Sequence, residues 1–154
     1  MVAGDRDEAM YRLHAAGLVR FATVLVGPSD AQDVVSAAVL RCLSSPDWND
    51  VANVEGYLYR AVLNTARSYR RAELRRVARE ARAASPAATT ETEVQPDVWA
   101  AVARLSVRQR AVTVLTYVED LTPAQVATRL GMSEGSVRRH LARARARLRR
   151  MLDG

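Results

Sequence analysis

Lysine is missing from these 154 residues, and cysteine and phenylalanine occur once each. The lone Cys42 rules out an internal disulfide and a thiolate metal site, so it reads as a small helix-packing side chain. Seven Gly and five Pro are few, while Ala, Leu, Val and Arg dominate, a balance that favours helix over strand. No stretch reaches the roughly 18 consecutive apolar residues that span a bilayer, and the N-terminus MVAGDRDEAM is acidic without an apolar signal core. A cytoplasmic chain with no membrane partner is expected. Also lacking are a Gly-rich phosphate loop, an HExxH motif, a Cys/His cluster and a nucleophile motif, so no catalytic residue, metal site or cofactor is expected. His14 and His140 have no second ligand at metal spacing; His14 reads as structural, His140 as a phosphate or water contact.

Hydrophobic residues make up 49% of the chain, enough for a packed interior. Charge is segregated. Residues 1–59 hold four Arg against eight acids, a net −4, whereas 60–83 hold eight Arg against two acids, a net +6. Residues 84–121 hold three Arg against five acids, a net −2, and 122–154 again hold eight Arg against two acids, a net +6. Two separate basic blocks result, and two regions able to meet a polyanion are implied.

Ser29–Gln32, Ser106–Gln109 and Thr122–Gln125 each fit a capping box, the last with Pro123 at the first helical position. Helices are predicted over about 5–25, 29–44, 54–82, 97–105, 106–118, 122–130 and 133–151. A loop containing Pro46 and Trp48 separates the second from the third. Residues 83–95, AASPAATTETEVQ, are small and polar without apolar periodicity and read as a linker. A flexible chain of that length averages about 20 Å end to end, enough for independent orientation of two domains. The fold expected is all-α: two small helical domains over 5–82 and 97–152 joined by a flexible linker over 83–96.

The most specific pattern is LTPAQVATRLGMSEGSVRRHLARAR, residues 121–145. A capped helix closes at Gly131, which suits a left-handed residue, and Ser133 caps the next. This is the layout of a helix-turn-helix, with Val126, Ala127 and Leu130 packed on Val137, Leu141 and Ala144. The opposite face offers Ser136, Arg138, Arg139, His140 and Arg143 to a major groove. A solvated charged surface is the plain alternative. Seven Arg between 138 and 150 repel one another unless a polyanion neutralises them, which favours DNA.

Residues 103–148, ARLSVRQRAVTVLTYVEDLTPAQVATRLGMSEGSVRRHLARARARL, resemble region four of the extracytoplasmic-function group of sigma-70 RNA polymerase sigma factors. The leucine, arginine, valine-leucine, tyrosine and acidic-leucine pattern followed by an RAR tail is more specific than a helix-turn-helix alone. Gln125 replaces the usual acidic residue of the first helix. The resemblance implies that Ser136, Arg138, Arg139, His140, Ala142 and Arg143 meet the minus-thirty-five element. The N-terminal half resembles region two: 30–35, DAQDVV, is similar to the family's DAEDLV, and 56–71, GYLYRAVLNTARSYRR, to the helix that reads the melted minus-ten strand. The position of Trp48 suggests the actinobacterial SigE-like branch.

By that resemblance Trp48, Asn64, Arg67, Ser68 and Arg71 would meet the minus-ten strand, and Asp30, Asp33, Val34, Ser36, Ala37 and Leu40 would dock on polymerase. Ser36 and Ala37 stand where relatives commonly carry Gln and Glu. Read from the residues alone, Asn64 is an ordinary solvated residue and Trp48 could equally be a loop anchor on the core, with Tyr57, Tyr59 and Tyr69 as further aromatic faces. The partners implied are core RNA polymerase, through its beta-prime clamp and beta flap, promoter DNA, and an anti-sigma factor. The rival reading is a stand-alone helix-turn-helix regulator binding duplex as a dimer, which has little use for the second basic block at 60–83.

Overall fold

A computed structural model describes residues 3–83 and 98–154. Helix α1 spans Ala3–Val26, α2 Ala31–Ser44 and α3 Val54–Ala83, with a 3-10 turn at Trp48–Asp50 before α3. After the linker come α4 (Val98–Ala103), α5 (Val107–Tyr117), α6 (Pro123–Leu130) and α7 (Glu134–Asp153). Every described element is helical, as the composition implies. The linker itself, predicted over 83–96, lies almost wholly outside the described residues.

Two of the three expected capping boxes form. Ser106 accepts from the Gln109 amide and Thr122 from the Gln125 amide, and each glutamine returns a bond to its cap residue. The third does not. Helix α2 begins after Asp30, whose φ −109° and ψ −10° are helical, so Ser29 lies in the preceding turn and caps nothing. The Asp30 carboxylate instead accepts a hydrogen bond from the Tyr69 phenol, which raises the phenol above its ordinary value.

Helices α1, α2 and α3 bury Leu18, Phe21, Leu25, Val34, Val35, Cys42, Leu58 and Val62 among small alanines. Burial pushes the Cys42 thiol up to about 11, as befits an inert packing residue. Val107, Ala111, Val112, Leu115, Val126 and Leu130 of the C-terminal half belong to the same contiguous core. The two halves therefore meet in one interior, whereas the linker length alone suggests freely oriented domains.

One buried cation ties them. Arg110 on α5 is 5% exposed. Its guanidinium donates to the carbonyls of Val102 at 3.2 Å, Ala103 at 2.6 Å and Leu105 at 3.1 Å around the end of α4. It also donates to Val24 at 3.2 Å and to Leu25, in the last turn of α1. All five N–H groups of the guanidinium are used. The last carbonyls of a helix lack intrahelical partners and carry the negative end of its dipole, so one cation neutralises two helix ends without a carboxylate. Burial, then Arg70, lowers the Arg110 pKa from its ordinary value.

A second tie joins α6 to α3: Arg129 pairs with Glu55 at 2.7 Å and lies 4.9 Å over the Tyr59 ring. Replacing Arg110 by Leu fills the space but leaves several carbonyls unpaired, at about 1–3 kcal/mol for each buried group. Arg110→Leu is expected to lower the urea unfolding free energy by about 3 kcal/mol or more, and Arg110→Lys, with fewer donors, by less. A loss below about 1 kcal/mol for Arg110→Leu would show that the guanidinium does not hold the halves together.

Candidate nucleic-acid interface

The helix-turn-helix forms where the sequence places it. Gly131 closes α6 at φ +64°, a left-handed conformation that costs a non-glycine residue roughly 1–2 kcal/mol. Ser133 then accepts from the Ser136 amide at 3.1 Å to start α7. The turn is seated on α3: a Cβ at Gly131 would come within 2.1 Å of the Arg60 side chain. Val126, Ala127 and Leu130 pack with Val137 and Leu141 as expected. Ala144 does not join them. It packs with Val102 and Leu105, backed by Leu148 and Met151, because α4 crosses the C-terminal half of α7.

The six residues expected to read duplex divide between two aspects of α7. Arg138, Arg139, Ala142 and Arg143 are exposed, while Ser136 and His140 are partly buried, His140 on the flank towards α3 and α5. Arg138 pairs with Glu134 at 2.9 Å, an exposed pair of the kind worth little in water and easily exchanged for an external anion. Burial holds the His140 imidazole below its ordinary 6.5, followed by Arg108, Arg143, Arg139 and Arg67.

On α3, Asn64, Arg67, Ser68 and Arg71 form one stripe at helical spacing, opposite buried Val62, Leu63 and Ala66. Asn64, Ser68 and Arg71 are exposed and Arg67 is partly buried. Trp48 does not join the stripe. It is 6% exposed, donates from Nε1 to Asp7 at 3.0 Å and lies 6.0 Å from the Tyr57 ring, so its loop-anchor reading holds. Tyr59 is likewise engaged, 5.0 Å from Phe21 and beneath Arg129. A Trp followed by polar residues in a loop gives no sign of burial. Its partner, Asp7, lies 41 residues away.

The expected docking face on α2 is mostly present. Asp33, Ser36, Ala37 and Leu40 are exposed, Leu40 by 64%, and Asp30 is partly buried. Val34 is the exception: at 2% exposure it belongs to the core, one turn from Ala31 and Ala38 on the inward face of α2.

Sequence reasoning missed the contribution of the α4–α5 junction. Arg104 and Arg108 border a cleft of about 550 Å³ whose other walls carry Arg67, Arg71, His140 and Arg143. Both basic blocks thus reach one cleft. The signal for Arg110 was available in its spacing, since it falls between Val107 and Val114 on the apolar stripe of α5.

Sigma-70 region 2 matches residues 10–76, and sigma-70 region 4 matches 96–148. The RNA polymerase sigma-E factor of Streptomyces avermitilis is 34% identical over 153 residues, covering 95% of this chain and 84% of that one. The ECF RNA polymerase sigma factor SigM of Mycobacterium tuberculosis is 33% identical over 157 residues, covering 98% and 80%. Among solved structures, the sigma factor RpoE in complex with the anti-sigma factor NepR from Bartonella quintana superposes with a TM-score of 0.68. It shares 23% identity, over 99% of this chain and 98% of that one. CnrH, solved with the cytosolic domain of CnrY, gives a TM-score of 0.61 at 23% identity over 96% and 87%. These structures share the fold. With two sigma-70 regions over most of its length and relatives a third identical across nearly all of it, the chain belongs to the extracytoplasmic-function sigma factors, which direct promoter-specific transcription initiation.

Proposed function

We propose that this chain works by binding alone, in the cytoplasm, with its tasks divided between two regions, 5–82 and 97–152, joined through 83–96. The exposed α2 face of Asp33, Ser36, Ala37 and Leu40, with Asp30 at its edge, docks on the polymerase beta-prime clamp, and the C-terminal region meets the beta flap. Asn64, Arg67, Ser68 and Arg71 hold the melted minus-ten strand, and the open face of α7 enters the major groove of the minus-thirty-five element. The observation that carries this reading is the presence of two basic stripes on different helices, one in each matched region. A dimeric duplex regulator has no use for the stripe on α3. RpoE was solved with the anti-sigma factor NepR and CnrH with the cytosolic domain of CnrY, which supports an anti-sigma factor as a partner of this chain.

Removing either Arg138 or Arg143 as Ala is expected to cost about 1–3 kcal/mol of promoter affinity if its guanidinium meets a guanine edge, and less if it meets phosphate. Unchanged transcription in the double variant would exclude α7 from the groove. Asp33→Arg should abolish co-purification with core polymerase, and Ser36→Gln should leave it equal or tighter. Continued co-purification of Asp33→Arg would move the docking surface elsewhere. With core polymerase present, Asn64→Ala should reduce permanganate reactivity of promoter thymines more than it reduces initial duplex binding; equal losses would place Asn64 outside strand opening.

His140 supplies a pH dependence. Its folded value lies below 6.5, so the unfolded chain takes up this proton more readily. The stability contribution is therefore complete above pH 6.5 and is lost as pH falls through the folded value. Burial is the larger cause, but duplex phosphate beside the exposed Arg139 and Arg143 would offset part of the repulsion that adds to it. Duplex binding should then take up a proton and tighten as pH drops below 6.5. His140→Asn should flatten that slope, measured by fluorescence anisotropy at fixed salt, and an unchanged slope would remove His140 from the contact.

A further inference from the structure

The cleft between the halves holds six guanidinium groups that have no carboxylate partner among the described residues: Arg147, which donates to Gln109 at 3.3 Å, and Arg67, Arg71, Arg104, Arg108 and Arg143. Among the described residues no acidic side chain lines it, and its one ring is the His140 imidazole. The charges come from both halves: Arg67 and Arg71 from α3, Arg104 and Arg108 from the α4–α5 junction, Arg143 from α7. Burial, then Arg108 across the cleft and Arg71 one turn away, lower Arg67 from its ordinary value. The shared core and the Arg110 bonds therefore close the halves against like-charge repulsion. An anion seated between them would remove that cost.

The dimensions restrict which anion. A major groove about 12 Å wide accepts one helix of about 10–12 Å diameter, so α7 cannot enter a duplex along the flank that faces α3. The volume of about 550 Å³ falls instead among small-molecule sites. Planar guanidinium forks suit phosphoryl oxygens bidentately, and they far outnumber the single ring, His140, in the walls. We propose that this interdomain cleft is a binding site for a compact oligophosphate, held by Arg67, Arg71, Arg104, Arg108 and Arg143 and formed only when the two halves are closed. Bound there, the anion fastens the closed chain and covers Arg143. It then competes with promoter duplex, a consequence that rests on the groove reading of α7.

The test titrates the full chain with sodium tripolyphosphate by calorimetry at about 150 mM salt, matched for ionic strength. Saturable one-to-one binding with a raised melting temperature is expected. The double variant Arg104→Gln/Arg108→Gln should bind at least about tenfold more weakly. Arg149→Gln/Arg150→Gln, which removes the same charge from the far end of α7, should bind as wild type does. No saturable binding by the wild type, or equal weakening by both double variants, would overturn the site. In a second arm, tripolyphosphate should displace promoter duplex from the wild-type chain. Binding without displacement would leave the site standing and contradict the groove reading instead.

Discussion

The arrangement depends on one buried guanidinium that satisfies the ends of two helices from different halves of the chain. Helices α1 and α4 both finish near α5, and their last carbonyls would face one another without donors. Arg110 supplies five N–H groups at that point, and its charge is balanced by carbonyl dipoles. From this follow the approach of α5 to α1, the seating of the helix-turn-helix on α3 and the meeting of the two basic blocks at one cleft. A carboxylate partner would have made a local ion pair. The carbonyls of residues 102, 103 and 105 hold the guanidinium locally, and those of residues 24 and 25 make the hydrogen-bonded tie long-range.

The same contact explains what was legible in the sequence and what was not. Helices marked by local chemistry, such as α5 and α6 with their capping boxes and α7 with Ser133, begin where their caps place them. Gly131 closes α6 because its left-handed conformation is a local requirement. Errors arose where a distant partner intervened. Asp30 was drawn to Tyr69, Trp48 to Asp7, and Ala144 to α4 rather than α6. Val34 fits a family docking motif by position, yet its place on the inward stripe of α2 puts it in the core. The outward residues of the expected site, among them Asn64, Ser68, Arg139 and Arg143, are exposed because nothing in the fold competes for them. The cleft could not be read, since its walls come from segments 67–71, 104–108 and 140–147.

Placing two cationic surfaces together has consequences for a chain of this family. Exposed arginines give affinity for any nucleic acid that falls steeply with salt, so selectivity must come from geometry. In the closed chain one flank of α7 faces the arginines of α3, leaving its open face to Arg138, Arg139 and Ala142. Arg143 stands between the two aspects, exposed yet bordering the cleft. It is the residue through which duplex recognition and the state of the interdomain cleft would be coupled.

As a sigma factor, this chain gives core polymerase a promoter preference that the polymerase lacks. The direct measurement is transcription of pooled genomic fragments by purified core RNA polymerase, with and without the chain, followed by mapping of the RNA 5′ ends. New start sites should appear only with the chain and share two upstream sequence elements, one for each of the two matched sigma-70 regions. Start sites identical to those of core polymerase alone would contradict that preference.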